Sequence, residues 1–234
     1  MREAVLPFCG GCPSVGWWRW LRLVVASFSA LCASRPALFC LFCLTLCAFF
    51  ATLGTVFISV VLVVPSCLSS LLVGSGLVGF SGSRGLPPAV LSSVLCLRAR
   101  SSGQSFVGCA AGVDADVRVS LRSARVFSAS DFGVGRGAFA ARSSAFVRAL
   151  ASGGGALVSF PSSPCPAGLL PSASSSRAFC GSGSGSWASL AFAVGSGVPC
   201  WVYAPFGVPT GWGFAPCGSG WFSFAPVAVQ SSLF

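Results

Sequence analysis

Three of the four acidic residues in this 234-residue chain, Asp114, Asp116 and Asp131, fall inside an 18-residue window. A carboxylate in such a place can work as a general acid or base, orient a hydroxyl, or cap a helix. The usual companions of catalytic carboxylates are missing, because the chain has no histidine and no lysine. That excludes Ser-His-Asp and Cys-His pairs, histidine-ligated zinc, a P-loop lysine and a Schiff base. Chemistry must come from aspartate, serine, arginine and backbone amides. The net charge of +10 rests on arginine alone. The planar guanidinium suits phosphate and carboxylate groups. A balance this basic suits a nucleotide, a nucleic acid or an anionic membrane surface as partner.

Small residues cluster around these groups. "SGSRG" (81–85) lets the backbone approach an anion, with Arg84 in reach. "CAAGVDADVR" (109–118) is a glycine turn with Asp114 in the first helical turn that follows. "ASDFGVGRGAFAAR" (129–142) holds Asp131, three glycines, Arg136 and Arg142. "PSSPCPAG" (161–168) and "GSGSGSWAS" (181–189) complete the set, the last at the start of a helical stretch. Bare amides at a helix N-terminus form an anion site. Each motif is weak alone; the ordinary readings are a cap for Asp114, a solvated side chain for Arg84 and a flexible linker for "GSGSGS".

The elements that must position these loops follow from the apolar pattern. Short Val- and Phe-rich runs at 77–80, 105–108, 125–128, 156–160 and 200–203 read as strands, each followed by Gly, Ser or Pro. Helical stretches fill the gaps: "AVLSSVLCLRAR" after Pro87 and Pro88, Val113 to Leu121, "RGAFAARSSAFVRALAS", and "WASLAFAVG". In the third of these, Phe139, Phe146 and Leu150 share one face and Arg148 points away. This alternation predicts an α/β fold, a Rossmann-like parallel five-stranded sheet with helices on both faces, preceded by a hydrophobic N-terminal helix. Ligands of such sheets bind at the carboxyl ends of the strands, at the topological switch point. Arg84, Asp114 and the 183–186 turn are therefore expected to converge on one edge.

The chain divides into residues 1–76, a hydrophobic segment, 77–205, the α/β domain, and 206–234, a Gly/Pro/aromatic tail that is either an irregular cover or loose. No charge occurs between Arg35 and Arg84. The apolar run 37–64 exceeds the roughly 20 residues that cross a bilayer. Two readings stay open: a transmembrane helix that makes the protein single-pass, or an artefactual upstream extension of a cytoplasmic one. The scarcity of residues with A at the second codon position bears on that choice. The 13 cysteines show no repeated pairing and read as small packing residues. No metal site is expected from them.

"GFSGSR", "FVGCAAGVDADVR", "VFSASDFGVGRGAFAARSSAFVRAL", "GALVSFPS" and "GSGSGSWASLAFAVGSGVPCWVYAP" together resemble the SLOG superfamily. That group includes Rossmann-like nucleotide-sensing domains, DNA-processing protein A and LOG phosphoribohydrolases. The likeness is to the small stand-alone branch and spans 77–205. It implies that Gly82, Ser83 and Arg84 belong to a ligand-binding first loop. By the same likeness Gly108, Gly112 and Asp114 match the second motif, and Arg142 matches an arginine in the helix after the third strand. Gly183, Gly185 and Ser186 match the glycine-rich phosphate turn, with Ser186 where the family usually has threonine. LOG enzymes carry a glutamate shortly after that position; here it falls at about Ser189, and no glutamate follows Glu3.

The expected function is non-catalytic binding of a nucleotide or nucleotide-derived small molecule, with no cofactor. Alternatives are single-stranded DNA binding through arginines and aromatics, a weak nucleotide hydrolase using Asp114 or Asp116, and a membrane-associated protein held through 37–64.

Overall fold

The computed structural model describes residues 64–85, 88–181 and 184–226. The candidate membrane segment 37–64 lies outside them but for its last residue, as do Pro87 of the first helix start and Gly183 of the expected phosphate turn. Among the described residues no helix is long and apolar enough to cross a membrane.

The protein is a mixed α/β fold around one mostly parallel sheet of seven strands. Helix α1 (Ser66–Gly74) leads into β1 (Leu77–Gly82), followed by α2 (Val90–Arg98), β2 (Gln104–Gly108) and α3 (Val113–Ser120). Next come β3 (Arg125–Phe127), a 3-10 turn (Ala129–Phe132), α4 (Arg136–Ser152) and β4 (Ala156–Phe160). The short α5 (Ser175–Ala178), α6 (Gly185–Gly195), β5 (Cys200–Tyr203), β6 (Ala215–Gly218) and β7 (Trp221–Phe224) complete the order. The strands lie as β3-β2-β1-β4-β5-β7-β6. The first five are parallel, and β7 and β6 run antiparallel beside β5.

All five expected strands are present. The expected count of five is corrected to seven, because the stretch read as an irregular tail supplies a hairpin. Its turn, Ser219–Gly220, follows Gly218 at φ 87° and has both its residues at positive φ, Ser219 at 51° and Gly220 at 78°. Two residues with positive φ suit the twist of a tight hairpin.

Strand alternation divides the core. Val78, Phe80, Val107, Val158 and Phe160 pack on one face with α1, α2 and α3, through Leu68, Leu72, Leu91, Val94, Val113 and Val117. Phe106, Leu157, Cys200 and Val202 pack on the other with α4 and α6, through Phe146, Leu150, Trp187, Leu190 and Phe192. Strands covered on both faces read as mostly apolar runs, as β4 does with all five residues buried and only Ser159 polar. Gly79 allows α4 to come close: a Cβ there would stand 2.5 Å from Leu150 Cδ1. The strand order reverses between β1 and β4. A crevice opens at such a point beyond the carboxyl ends.

Candidate ligand-binding cleft

A cleft of about 730 Å³ lies beyond the ends of β1, β2 and β4. That volume is within the range of small-molecule sites. Its wall includes Gly82, Ser83 and Arg84 from the β1 loop, Asp114 from α3, Arg142 from α4, and Gly185 and Ser186 from α6. Seven of the nine expected site residues thus meet although more than a hundred positions separate the first from the last. Gly112 stands behind the wall, and Gly183 lies outside the described residues.

The first loop is fixed by Ser83. Its N–H donates to Phe160 O at 3.0 Å, and its carbonyl accepts from Val113 N at 3.1 Å. Its hydroxyl accepts from Ser162 Oγ at 2.7 Å and from Gly85 N at 3.2 Å. The β1 loop is therefore tied to β4 and to the start of α3, and Arg84 projects from an anchored backbone. Gly112 is needed for the approach: its φ is 68°, and a Cβ there would run into the Ser83 and Gly85 carbonyls. Gly82 likewise leaves room for Val113, 2.6 Å from where a Cβ would sit.

Arg84 has its guanidinium carbon 4.9 Å from the centroid of Phe139, at the start of α4. This cation–π contact holds the side chain over the cleft while leaving its N–H groups to solvent or ligand. Arg142 is engaged differently. Its Nη1 donates to Asp114 Oδ2 at 3.3 Å, and both side chains are nearly buried. Arg142 Nε is buried without a hydrogen-bond partner. Asp114 Oδ2 also accepts from Ala110 N at 3.3 Å. Burial, the largest influence, raises the Asp114 carboxyl above its ordinary value, against the opposing pulls of Arg142, Ala110 N–H and Arg118. Arg118 donates to the carbonyls of Gly108 at 2.7 Å and Ala110 at 3.0 Å. Asp114 thus organises the β2–α3 turn.

The α6 side supplies hydroxyls. Ser184 caps the helix, its Oγ accepting from Trp187 N at 3.5 Å, and lies 3.1 Å from Ser186 Oγ. Ser189, one turn on, also lines the cleft and donates to Gly185 O at 2.9 Å. A Cβ at Gly185 would meet nothing, so that side of the turn is open. Trp187 anchors the helix start, with Nε1 donating to Ser163 O at 2.8 Å. Asp114 is the one carboxylate among the lining residues; Asp116 and Asp131 are exposed elsewhere. No group of three His, Cys, Asp or Glu residues able to hold a metal occurs among the described residues.

Sequence reasoning did not single out Phe139 as a cleft residue, nor Ser162, whose hydroxyl holds the first loop. The helical spacing of Phe139 with Phe146 and Leu150 suggested core. Phe146 and Leu150 are buried, but Phe139 is 39% exposed at the rim. No family model, curated protein or solved structure matches this chain.

Proposed function

We propose that residues 77–205 are a Rossmann-like, SLOG-like module that binds a nucleotide or nucleotide-derived ligand in this cleft without transforming it. The observation that carries the reading is the meeting of Arg84 with the start of α6 in one cleft, at the reversal of strand order. The amides of Gly185 and Ser186 and the Ser186 hydroxyl receive the anionic group, helped by the partial positive charge of the helix N-terminus. Arg84 supplies a full charge. The non-catalytic reading is supported by the state of the groups at hand. Asp114 has its Oδ2 occupied by Arg142 and Ala110, and the position of the LOG glutamate holds Ser189. Calorimetric titration of the full chain, kept in solution with mild detergent, against nucleotides and cyclic dinucleotides tests the proposal. Saturable heat is expected, and its absence at millimolar ligand overturns it.

A second reading, single-stranded DNA binding, is favoured by the exposed ring of Phe139 stacked against Arg84. Stacking rings beside cations are what such strands require. Gel shifts at rising salt separate the two, because phosphate-driven strand binding must weaken steeply.

A further inference from the structure

Ala140 and Phe179 line the cleft, and both also line a second depression of about 420 Å³ next to it. That volume is again within the range of small-molecule sites. Helix α4 contributes the small residues Ala141, Ser144 and Ala145, and the rings of Phe132 and Phe179 stand in the wall. Arg148, exposed at the surface, is the one charged residue lining this depression. Its guanidinium forms no ion pair among the described residues. Asp131, beside Phe132 in the chain, has its Oδ1 accepting from Ser130 Oγ at 3.3 Å. Arg148 Cζ lies 5.7 Å from the centroid of Phe192, which packs edge-on against Phe179 with centroids 6.1 Å apart. The uncompensated cation thus stands close to the ring that the two depressions share.

Resting on the reading of the cleft as a nucleotide site, we propose that its ligand is a dinucleotide, two units in phosphodiester linkage that occupy both depressions. Arg84 stacks on Phe139, which precedes Arg148 on α4 by about 14 Å along the helix axis. Side chains of a helix lean toward its N-terminus, so the Arg148 guanidinium reaches back toward the cleft. A single phosphate cannot touch both cations; two phosphates on either side of a ribose can. The terminal phosphate meets Arg84 and the start of α6, and the linking phosphate meets Arg148 in a charge-assisted contact. The second base lies against Phe132 and Phe179. A mononucleotide leaves Arg148 and the Phe132 ring idle. Stacking on a ring tolerates every base, so the second depression reads the number of units rather than their identity.

Calorimetry on the full chain in mild detergent, at one salt concentration, compares pApA, pGpG, pCpC and pTpT with ADP, GDP, CDP and TDP. Each dinucleotide carries a net charge like that of its diphosphate, so a difference reports the second nucleoside rather than the basic surface. For at least one base the dinucleotide should bind about ten-fold more tightly, the scale of stacking one base. Arg148→Ala and Ala141→Glu, both at exposed positions, should each remove most of that advantage. Diphosphates that bind as tightly as every dinucleotide overturn this inference and leave the nucleotide reading standing. So does an advantage that both variants retain. A further rise of the same size with the tetranucleotide marks a longer strand as the ligand and also overturns it. No saturable heat from any of these compounds overturns the nucleotide reading itself, and this inference with it.

Discussion

Arg142 and Asp114, 3.3 Å apart, join helices that lie on opposite faces of the sheet. Asp114 belongs to α3, packed with Val113 and Val117 in one layer. Arg142 belongs to α4, packed with Phe146 and Leu150 in the other. The bridge passes over the end of β2, where Gly108 leaves the space: a Cβ there would run into Arg142 Nη1 and Asp114 Oδ2. The first prediction follows from that space. Gly108→Ala should lower stability by about 1–3 kcal/mol, the range for overpacking, measured by urea unfolding. Because the same change displaces Arg142, it should also reduce nucleotide binding in the cleft.

Removing the acceptor at Asp114 should cost more than removing its charge. Asp114→Ala leaves Arg142 nearly buried without its carboxylate and should destabilise by about 3 kcal/mol. Asp114→Asn keeps an acceptor for Ala110 N–H and Arg142, and it removes a charge whose burial is unfavourable. Its urea midpoint should equal or exceed that of the wild type at neutral pH. The asparagine variant should also bind anions more tightly, since Arg142 then adds an uncompensated charge to the cleft.

The pH dependence has a defined sign. Burial raises the Asp114 carboxyl in the folded state above its ordinary value of 3.8. The folded protein therefore takes up the proton more readily than the unfolded chain. The stabilisation is complete below 3.8 and is lost as pH rises through the higher folded value. Thermal midpoints taken from pH 7 downward should show the wild type gaining on Asp114→Asn. A wild type that falls behind Asp114→Asn on acidification would contradict this.

Arg84→Ala should weaken nucleotide binding by about 1.5–3 kcal/mol, the range for hydrogen bonds to a charged group. Stability should change by less than about 0.5 kcal/mol, because the side chain is exposed at the surface. Calorimetry and urea unfolding on the same sample separate the two effects.

Arg98 should behave in the opposite way. It is 1% exposed, and burial lowers its pKa from the ordinary arginine value. It donates to the carbonyls of Leu72, Ser75 and Gln104 and to the hydroxyls of Ser101 and Ser105. Arg98→Ala strands several acceptors between α1 and β2 and should cost about 3–5 kcal/mol. Arg98→Lys should not restore stability, since an ammonium cannot span this fan of acceptors. Ligand affinity of the remaining folded protein should be unchanged.

Arg98 also shows where sequence reasoning stops. An arginine in a chain of net positive charge reads as solvated, and nothing in "LRAR" reveals the five acceptors that converge on it from α1, β2 and the turns beside them. The strands were legible because Val and Phe runs between Gly, Ser and Pro match strands covered on both faces. The convergence of Arg84 and Ser186 was legible too, through the rule that loops after parallel strands share an edge. The β6–β7 hairpin was not, because Pro216, Cys217 and paired glycines break the period-two pattern by which strands are recognised. The partner of Asp114 was equally hidden: an ion pair that crosses between layers leaves no spacing in the sequence.

Both borders of the sheet are made of segments poorly suited to further pairing. At one side β3 is only three residues long and begins with the exposed Arg125. At the other, β6 carries Pro216, which has no N–H to offer, and a shifted register beside it. Short, charged or kinked margins deny a neighbouring chain the regular row of donors and acceptors that strand addition requires. A chain with 54% hydrophobic residues and 8% charged ones covers its surface thinly with charge, although its net charge of +10 makes its copies repel. Among the described strands, the backbone geometry of β3 and β6 therefore works together with that charge against edge-to-edge growth of the sheet between chains.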